Sequence, residues 1–429
     1  MMEFGLTSQV FNMQSIARSL RPHPSRLVGV LLGLAFATAL AAADVAAQSE
    51  LTSTKSSTPS ATATVQRLFE STPQAAWFTT AFLTAVPLEQ VGNLLDTLVK
   101  DFGTLRQVEI QGQQGFVQLE RAQLPVTITL DSTGRIAGLR FGTPQVVSTQ
   151  PTELAKRLRE SAVGRAAVFA RVGEDDWVAF DADVPMAVGS AFKLAILQAY
   201  EDAVRERRLL RDEIVRLQAS DRSLPSGVLQ TLAPATPVTP ELLAGLMTQH
   251  SDNTATDALL RVVGREAVEH HSPRNRPFLS TSELFKLTAP GAAAQRTAYA
   301  NASEAERRSI LATLAASPLP STSGSGTATW GDAEWFFTAR ELCGLLLDLR
   351  SAPALNGVPN PLVAIEGWPW TAYKGGSEYG VLNLTAAGIT PDGKPACAVL
   401  TANGAGAQNE ERLAMLFAAL FRSLGAAAP

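Results

Sequence analysis

Apolar and polar positions follow two rhythms along this chain. From Val65 they fall at helical spacing through Leu68, Phe69 and Trp77, and again from Leu88 to Phe102. Four short strand-like runs come next: Gln107 to Gln111, Gly115 to Glu120, Val126 to Leu130 and Ile136 to Phe141. Asp131-Ser132-Thr133-Gly134 joins the last two and reads as a hairpin turn. Helices followed by a small meander predict an α+β domain over residues 64–143. Thr143 to Pro151 carries two prolines and no period, which marks a linker. Beyond it the pattern gives a helix (Glu153 to Ser161), two strands (Ala166 to Arg171, Trp177 to Asp181) and a long, mainly helical middle. Strand patterns return at Trp370 to Lys374, Val381 to Ala386 and Ala396 to Thr401. A closing helix, Glu410 to Leu424, sets Leu413, Leu416, Phe417, Leu420 and Phe421 on one stripe. Strands from both ends of residues 152–426 imply one sheet assembled from distant parts and flanked by helices.

The N-terminal residues have a different character. Arg18, Arg21 and Arg26 precede an uncharged, Ala-rich apolar run from Leu27 to Ala43, and small residues follow at Val45-Ala46-Ala47-Gln48. Basic, apolar and small-residue segments in that order predict a secretory signal over residues 1–47, with an uncleaved membrane anchor as the alternative. Residues 48–63 are mostly Ser and Thr and read as a flexible linker. The expected protein is exported, periplasmic or secreted. Cys343 and Cys397 then meet an oxidising compartment, yet one sits in a helical pattern and the other in a strand pattern. Both read first as small buried apolar residues, with a bridge between them as the second possibility.

Composition narrows the chemistry. The 429 residues are 46% hydrophobic and 18% charged, an ordinary globular balance. Net charge is −4, from 36 basic and 40 acidic side chains, so no basic surplus is available for a run of phosphates and nucleic acid is not an expected partner. Two cysteines and four histidines are too few for a disulfide framework or a haem, and too sparse for a four-ligand zinc site. No metal or other cofactor is expected.

Three short motifs carry the candidate chemistry. Gly189-Ser190-Ala191-Phe192-Lys193 opens an apolar helix, and a separation of three puts Ser190 and Lys193 on one face. A serine at a helix start lies in the field of free amides, which favours a developing negative charge. A lysine kept from water loses its proton more easily and can take one from the serine. This is the only Ser-x-x-Lys in the chain. Ser251-Asp252-Asn253, rarer by chance, sits between two helical patterns and equally suits a helix N-cap. Lys374-Gly375-Gly376-Ser377 ends a strand pattern; its glycines let a ligand approach, and the lysine offers a charge to a carboxylate. His250 reads as a helix-end residue and His270-His271 as a solvated loop.

In this order the three motifs resemble the serine β-lactamases and penicillin-recognising D,D-peptidases, class A most closely. The resemblance spans about Thr152 to Ala426. It implies an antiparallel sheet flanked by helices, in which Ser190 is the acylated nucleophile and Lys193 its base partner. Ser251 becomes a proton relay, Asn253 a contact for the substrate amide and Lys374 a carboxylate site, with Gly376 and Ser377 lining the substrate. Backbone N–H groups of Ser190 and Ser377 would form the oxyanion hole. The 64–143 segment weakly resembles the cone-shaped fold of nuclear-transport-factor and ketosteroid-isomerase type. The phrases LPSGVLQ (Leu224 to Gln230), RPFLSTSELFKL (Arg276 to Leu287), EWFFTARELC (Glu334 to Cys343) and YKGGSEYGVLNLT (Tyr373 to Thr385) resemble a branch of class A-type serine hydrolases. That branch includes a two-domain protein of clavulanic acid biosynthesis with weak cephalosporin-esterase activity.

Two features depart from the class A pattern. The third motif reads KGG rather than KTG or KSG, leaving Ser377 as the candidate replacement hydroxyl. No E-x-x-L-N loop occurs: Glu266, Glu269 and Glu283 lie outside such a pattern, and Glu283 reads as the capping-box partner of a helix starting near Ser280. The expectation is an exported serine hydrolase forming an acyl-enzyme at Ser190, on β-lactams or related carboxylate-bearing amides and esters, with slow deacylation. A D,D-peptidase or esterase is the alternative enzyme. A non-catalytic penicillin-binding sensor is the alternative of another class.

Overall fold

The computed structural model describes residues 60–425 apart from 143, 147–149, 322–330, 357–359 and 361. The expected signal (1–47) and residues 48–59 of the Ser/Thr-rich linker lie outside the described residues, while its last residues, 61–63, are not linker but the start of helix Ala61–Glu70. Among the described residues no helix is long and apolar enough to cross a membrane.

Helix Ala61–Glu70 starts on Ser60, whose hydroxyl accepts from the Ala63 N–H; helix Leu88–Phe102 stops at Gly103, where φ reaches 87°. Strands Leu105–Gln111, Gln114–Leu119, Ala122–Leu130 and Ile136–Phe141 pair antiparallel in sequence order, the expected meander. Its last turn is held by Asp131, which accepts from the backbone of Thr133 and Arg135. A bond from the Thr133 hydroxyl, and then those backbone bonds, hold the Asp131 carboxyl well below the usual carboxylate range.

The second sheet has the order Trp370–Glu378, Val381–Ile389, Pro395–Asn403, Arg165–Val172, Asp175–Phe180, antiparallel throughout. It is the sheet expected from both ends of residues 152–426. Its side chains alternate between two apolar clusters, because successive residues of a strand face opposite sides. Ala167, Phe169, Cys397 and Val399 join the cluster around helix Lys193–Arg205. Val168, Ala170, Ala398 and Leu400 join the one around the closing helix, Glu410–Ser423. That second cluster continues through Leu154 and Leu158 into Val65, Leu95, Val117 and Leu124, so the small meander shares a core with the larger sheet. Arg412 of the closing helix also pairs with the buried Asp101 at 2.7 Å.

Helix Lys193–Arg205 buries residues all round its first turns, as a helix in the middle of a core must. The reading of the two cysteines as unbridged apolar residues is corrected: Cys343 of helix Ala339–Asp348 and Cys397 of the central strand form a disulfide, their Cα atoms 5.8 Å apart. Periodicity showed each to be buried, but only tertiary packing brings them face to face. His270 and His271 are likewise not in a loop; they end helix Arg265–His271, and His271 Nε2 lies 2.9 Å from Asp202.

Candidate active site

Gly189 takes a φ of 48° and starts the 3₁₀ turn Gly189–Phe192, which runs directly into helix Lys193–Arg205. Ser190 lies on that turn, half-buried, and its hydroxyl makes no hydrogen bond among the described residues. Trp335 stacks on Phe192 with ring centres 3.6 Å apart, and Phe278 meets Phe192 edge-on. The turn therefore rests on an aromatic base supplied by two of the distinctive phrases.

Lys193, itself fully buried, points from the helix start into a polar cluster around the half-buried Ser251. Its Nζ donates to Ser251 O (2.7 Å), Ser251 Oγ (3.1 Å) and Asn253 Oδ1 (2.7 Å). Lys374 reaches the same hydroxyl from the edge strand: its Nζ donates to Ser251 Oγ at 3.1 Å and to Gly375 O at 2.8 Å. One serine oxygen thus sits between two lysines that are 0% and 3% exposed. Burial, and then the charge of Lys374, push the Lys193 ammonium well below the usual lysine range, against the opposing pull of Asp257 and Asp252. Burial alone brings Lys374 down to about 7. Two cations sharing one oxygen away from water cannot both keep their protons cheaply, so the cluster is poised to accept one.

The Ser-Asp-Asn motif serves both readings at once. Ser251 holds the lysines, while Asp252 caps helix Asn253–Val263 by accepting from the Ala255 N–H. The other Asp252 oxygen accepts from the Val228 and Leu229 N–H groups and so fixes loop 224–230. Gly227 is required there, since a Cβ would lie 2.2 Å from the Asp252 carboxylate. Ser251 itself adopts a φ of 53°, the left-handed region, and its carbonyl is held by Lys193 and by Ser226 Oγ. Asn253 joins the cluster, but its amide is committed to Lys193 through Oδ1 and to Leu224 O through Nδ2, rather than open to a substrate amide.

On the edge strand, Lys374 and Gly376 share a face. A Cβ on Gly376 would lie 2.3 Å from Ser190 N and 2.3 Å from Val188 O, so the strand backbone runs directly against the serine turn. A Cβ on Gly189 would likewise meet Ser377 N at 3.3 Å. The backbone nitrogens of Ser190 and Ser377 are thereby brought to one place. The Ser377 hydroxyl is not: it is exposed and donates to Glu410 Oε1 of the closing helix, which corrects its expected role as a replacement hydroxyl beside Lys374. The KGG departure has a packing cause. Tyr373 lies over Gly375, where a Cβ would be 2.2 Å from the phenol oxygen and 2.9 Å from Asn383 O.

The carboxylates near the missing loop are engaged elsewhere. Glu283 completes the capping box of helix Thr281–Thr288 with Ser280, as expected, and pairs with Arg265. Glu269 accepts from the Phe278 N–H and pairs with Arg308, and Glu266 is exposed. Asp257, raised to about 6 by burial, accepts from Thr281 and Ser282 and so ties helix Thr281–Thr288 to the Asn253–Val263 helix. Asp257, Glu334, Glu378, Glu410 and Tyr373 carry no motif in the sequence that marks them as part of this region. Each lies inside or next to a distinctive phrase or a predicted element, but spacing alone gives none of them a partner. Among the described residues no group of three or more His, Cys, Asp or Glu side chains is placed to hold a metal ion.

Residues 152–302, which include Ser190, Lys193, Ser251 and Asn253, match the family described as "Beta-lactamase enzyme family". At that level a β-lactamase-like hydrolase fold, helices around an antiparallel sheet, is supported; the matched residues supply two of the five strands of that sheet, Arg165–Val172 and Asp175–Phe180. Among solved structures, a β-lactamase from Sphaerobacter thermophilus DSM 20745 is similar at 20% identity, covering 65% of this chain and 98% of its own, with a TM-score of 0.46. A β-lactamase from Desulfarculus baarsii DSM 2075 is similar at 19% identity over 65% of this chain and 100% of its own, with a TM-score of 0.43. PBP-A is similar at 16% identity over 64% and 95%, with a TM-score of 0.44. No curated protein matches the chain.

Proposed function

We propose that this protein is an exported serine hydrolase that forms an acyl-enzyme at Ser190 and hydrolyses β-lactam amides or related ester and amide bonds, releasing the acyl group slowly. The observation that carries this reading is the Ser251 hydroxyl held at 3.1 Å from both Lys193 and Lys374, beside a strand packed directly on Ser190. Neutral Lys193 takes the proton of Ser190 as its oxygen attacks the carbonyl carbon. The N–H groups of Ser190 and Ser377 receive the oxyanion; losing one such donor costs about 10²–10³ in rate. Ser251, fed by the two lysines, passes a proton to the departing nitrogen or oxygen. Slow deacylation follows because Glu266, Glu269 and Glu283 are exposed or engaged in other bonds, leaving none of them to activate water at the acyl group. The apolar run at Leu27–Ala43 and the Cys343–Cys397 bridge support export.

Intact-protein mass followed over time with a penicillin and a cephalosporin tests the reading. The wild type is expected to gain an adduct that clears slowly, and Ser190→Ala to gain none. An adduct that forms equally on Ser190→Ala rejects the reading. A second reading, an esterase acting on neutral acyl groups, is favoured by one observation: Lys374 is buried and spent on Ser251, while Glu410 adds a carboxylate beside Ser377. Turnover of a neutral ester much faster than of either β-lactam would select it.

A further inference from the structure

Behind the serine turn lie two carboxyl groups that the acylation steps do not use. Glu334 is 6% exposed and precedes Trp335, and its segment runs antiparallel to the strand leading into Ser190. Phe337 pairs with Met186, Phe336 pairs with Ala187, and the Val188 N–H donates to Trp335 O at 3.2 Å. Continuing that register sets Glu334 opposite Gly189, whose N–H faces its carboxyl. Glu334 Oε1 accepts from the Trp335 N–H at 2.9 Å. Its Oε2 is buried and has no hydrogen-bond partner among the described residues. Glu334 also meets the carboxyl of Glu378, on the edge strand directly after Ser377.

Two acids meeting in this way cannot both ionise, because like charges at contact distance in a dry site repel strongly. One proton shared between them gives an O–H···O bond and supplies Glu334 Oε2 with the donor it lacks. Burial, and for Glu334 also the neighbouring carboxylate, raise both groups above the usual carboxylate range. Among the described residues the groups facing Glu334 are Glu378 and the Trp335 and Gly189 N–H groups.

The position of the pair gives it a consequence. Glu378 is one residue from Ser377, and Glu334 lies against Gly189, one residue from Ser190. The shared proton therefore ties together the two backbone segments whose N–H groups receive the oxyanion. We propose that Glu334 and Glu378 are a proton-sharing positioning pair that clamps the edge strand to the serine turn and keeps the Ser190 and Ser377 N–H groups at working separation. The inference rests on the acyl-enzyme reading. Neither acid touches the reacting atoms. When the shared proton leaves at alkaline pH, two adjacent negative charges push the segments apart and oppose the oxyanion, so acylation slows.

The test is the pH profile of the acylation rate, read as Ser190 adduct by mass, for wild type, Glu334→Ala and Glu334→Gln. Glu334→Ala is expected to lose about 10²-fold at neutral pH, the usual cost of a small misplacement of catalytic groups. Glu334→Gln can donate an amide hydrogen to Glu378 at every pH. It is expected to restore most of that loss and to flatten the alkaline decline, leaving only the change that belongs to Lys374. If Glu334→Ala does not fold, the glutamine variant alone decides. A glutamine variant with the wild-type alkaline decline overturns the proposal, as does one that acylates as poorly as a folded alanine variant. A wild type that never acylates at Ser190 removes the acyl-enzyme reading and this inference with it. A wild type that acylates, with variants that copy its profile, overturns this inference alone.

Discussion

Gly376 lies so close to Ser190 that a Cβ on the glycine would stand 2.3 Å from the serine's backbone nitrogen. Strand and turn are in backbone contact there, with no side chain to yield. Gly376→Ala must therefore part the strand from the turn and separate the Ser190 and Ser377 N–H groups. Acylation by a β-lactam is expected to fall by about 10²-fold or more, with the near-ultraviolet circular dichroism of the fold retained. An alanine variant that acylates at the wild-type rate would show that the contact has no part in the chemistry.

Lys374 makes stability depend on pH with a definite sign. Its folded value of about 7 lies below that of an unfolded lysine, so the unfolded chain binds more protons between about 7 and the ordinary lysine range. Stability is penalised in full below about 7 and recovers as pH rises through that window. Denaturant unfolding at a series of pH values should show the wild type gaining on Lys374→Met, on the order of 5 kcal/mol across the window. A constant difference between the two would mean the lysine keeps its ordinary value.

Ser251 holds a left-handed backbone that costs a residue with a Cβ about 1 kcal/mol or more. Ser251→Gly removes that cost together with the hydroxyl, whereas Ser251→Ala removes only the hydroxyl. Both variants are expected to acylate about 10²–10⁴-fold more slowly, for want of the proton relay. Thermal or denaturant unfolding should find the glycine variant the more stable by roughly 1 kcal/mol. Equal stabilities would mean the backbone is unstrained.

Installing the hydroxyl that the KGG motif lacks should fail for a packing reason. Gly375→Thr drives a Cβ against the Tyr373 phenol and Asn383 O and is expected to cost roughly 1–3 kcal/mol. Removing the phenol in Tyr373→Ala/Gly375→Thr should recover part of that cost, a non-additivity visible in a double-mutant cycle. Additive costs would mean that Tyr373 is not what excludes a side chain at 375.

Much of the frame was legible because local patterns coincide with what the fold demands. The meander, the Glu410 helix stripe, the Asn253–Val263 helix and the Ser280 cap all follow from period and capping chemistry, which act over a few residues. Ser190, Lys193, Ser251 and Lys374 were named from residue types at short spacing, and three of them meet at one oxygen. What remained hidden depends on distance in space rather than along the chain. Cys343 and Cys397 each read as buried, but only the packing of a helix on the central strand makes them a pair. Ser377 was placed beside Lys374 by adjacency, yet strand alternation turns its hydroxyl to Glu410 on the closing helix. Gly375 reads in the motif as a lost hydroxyl, but the Tyr373 phenol occupies the space a side chain would need. Which elements form, and which residues are candidates for chemistry, can be read along the chain because periodicity and capping are local. Which groups meet, and which compete for one volume, depends on the packing of distant segments, because burial and like-charge contact arise only when those segments are brought together.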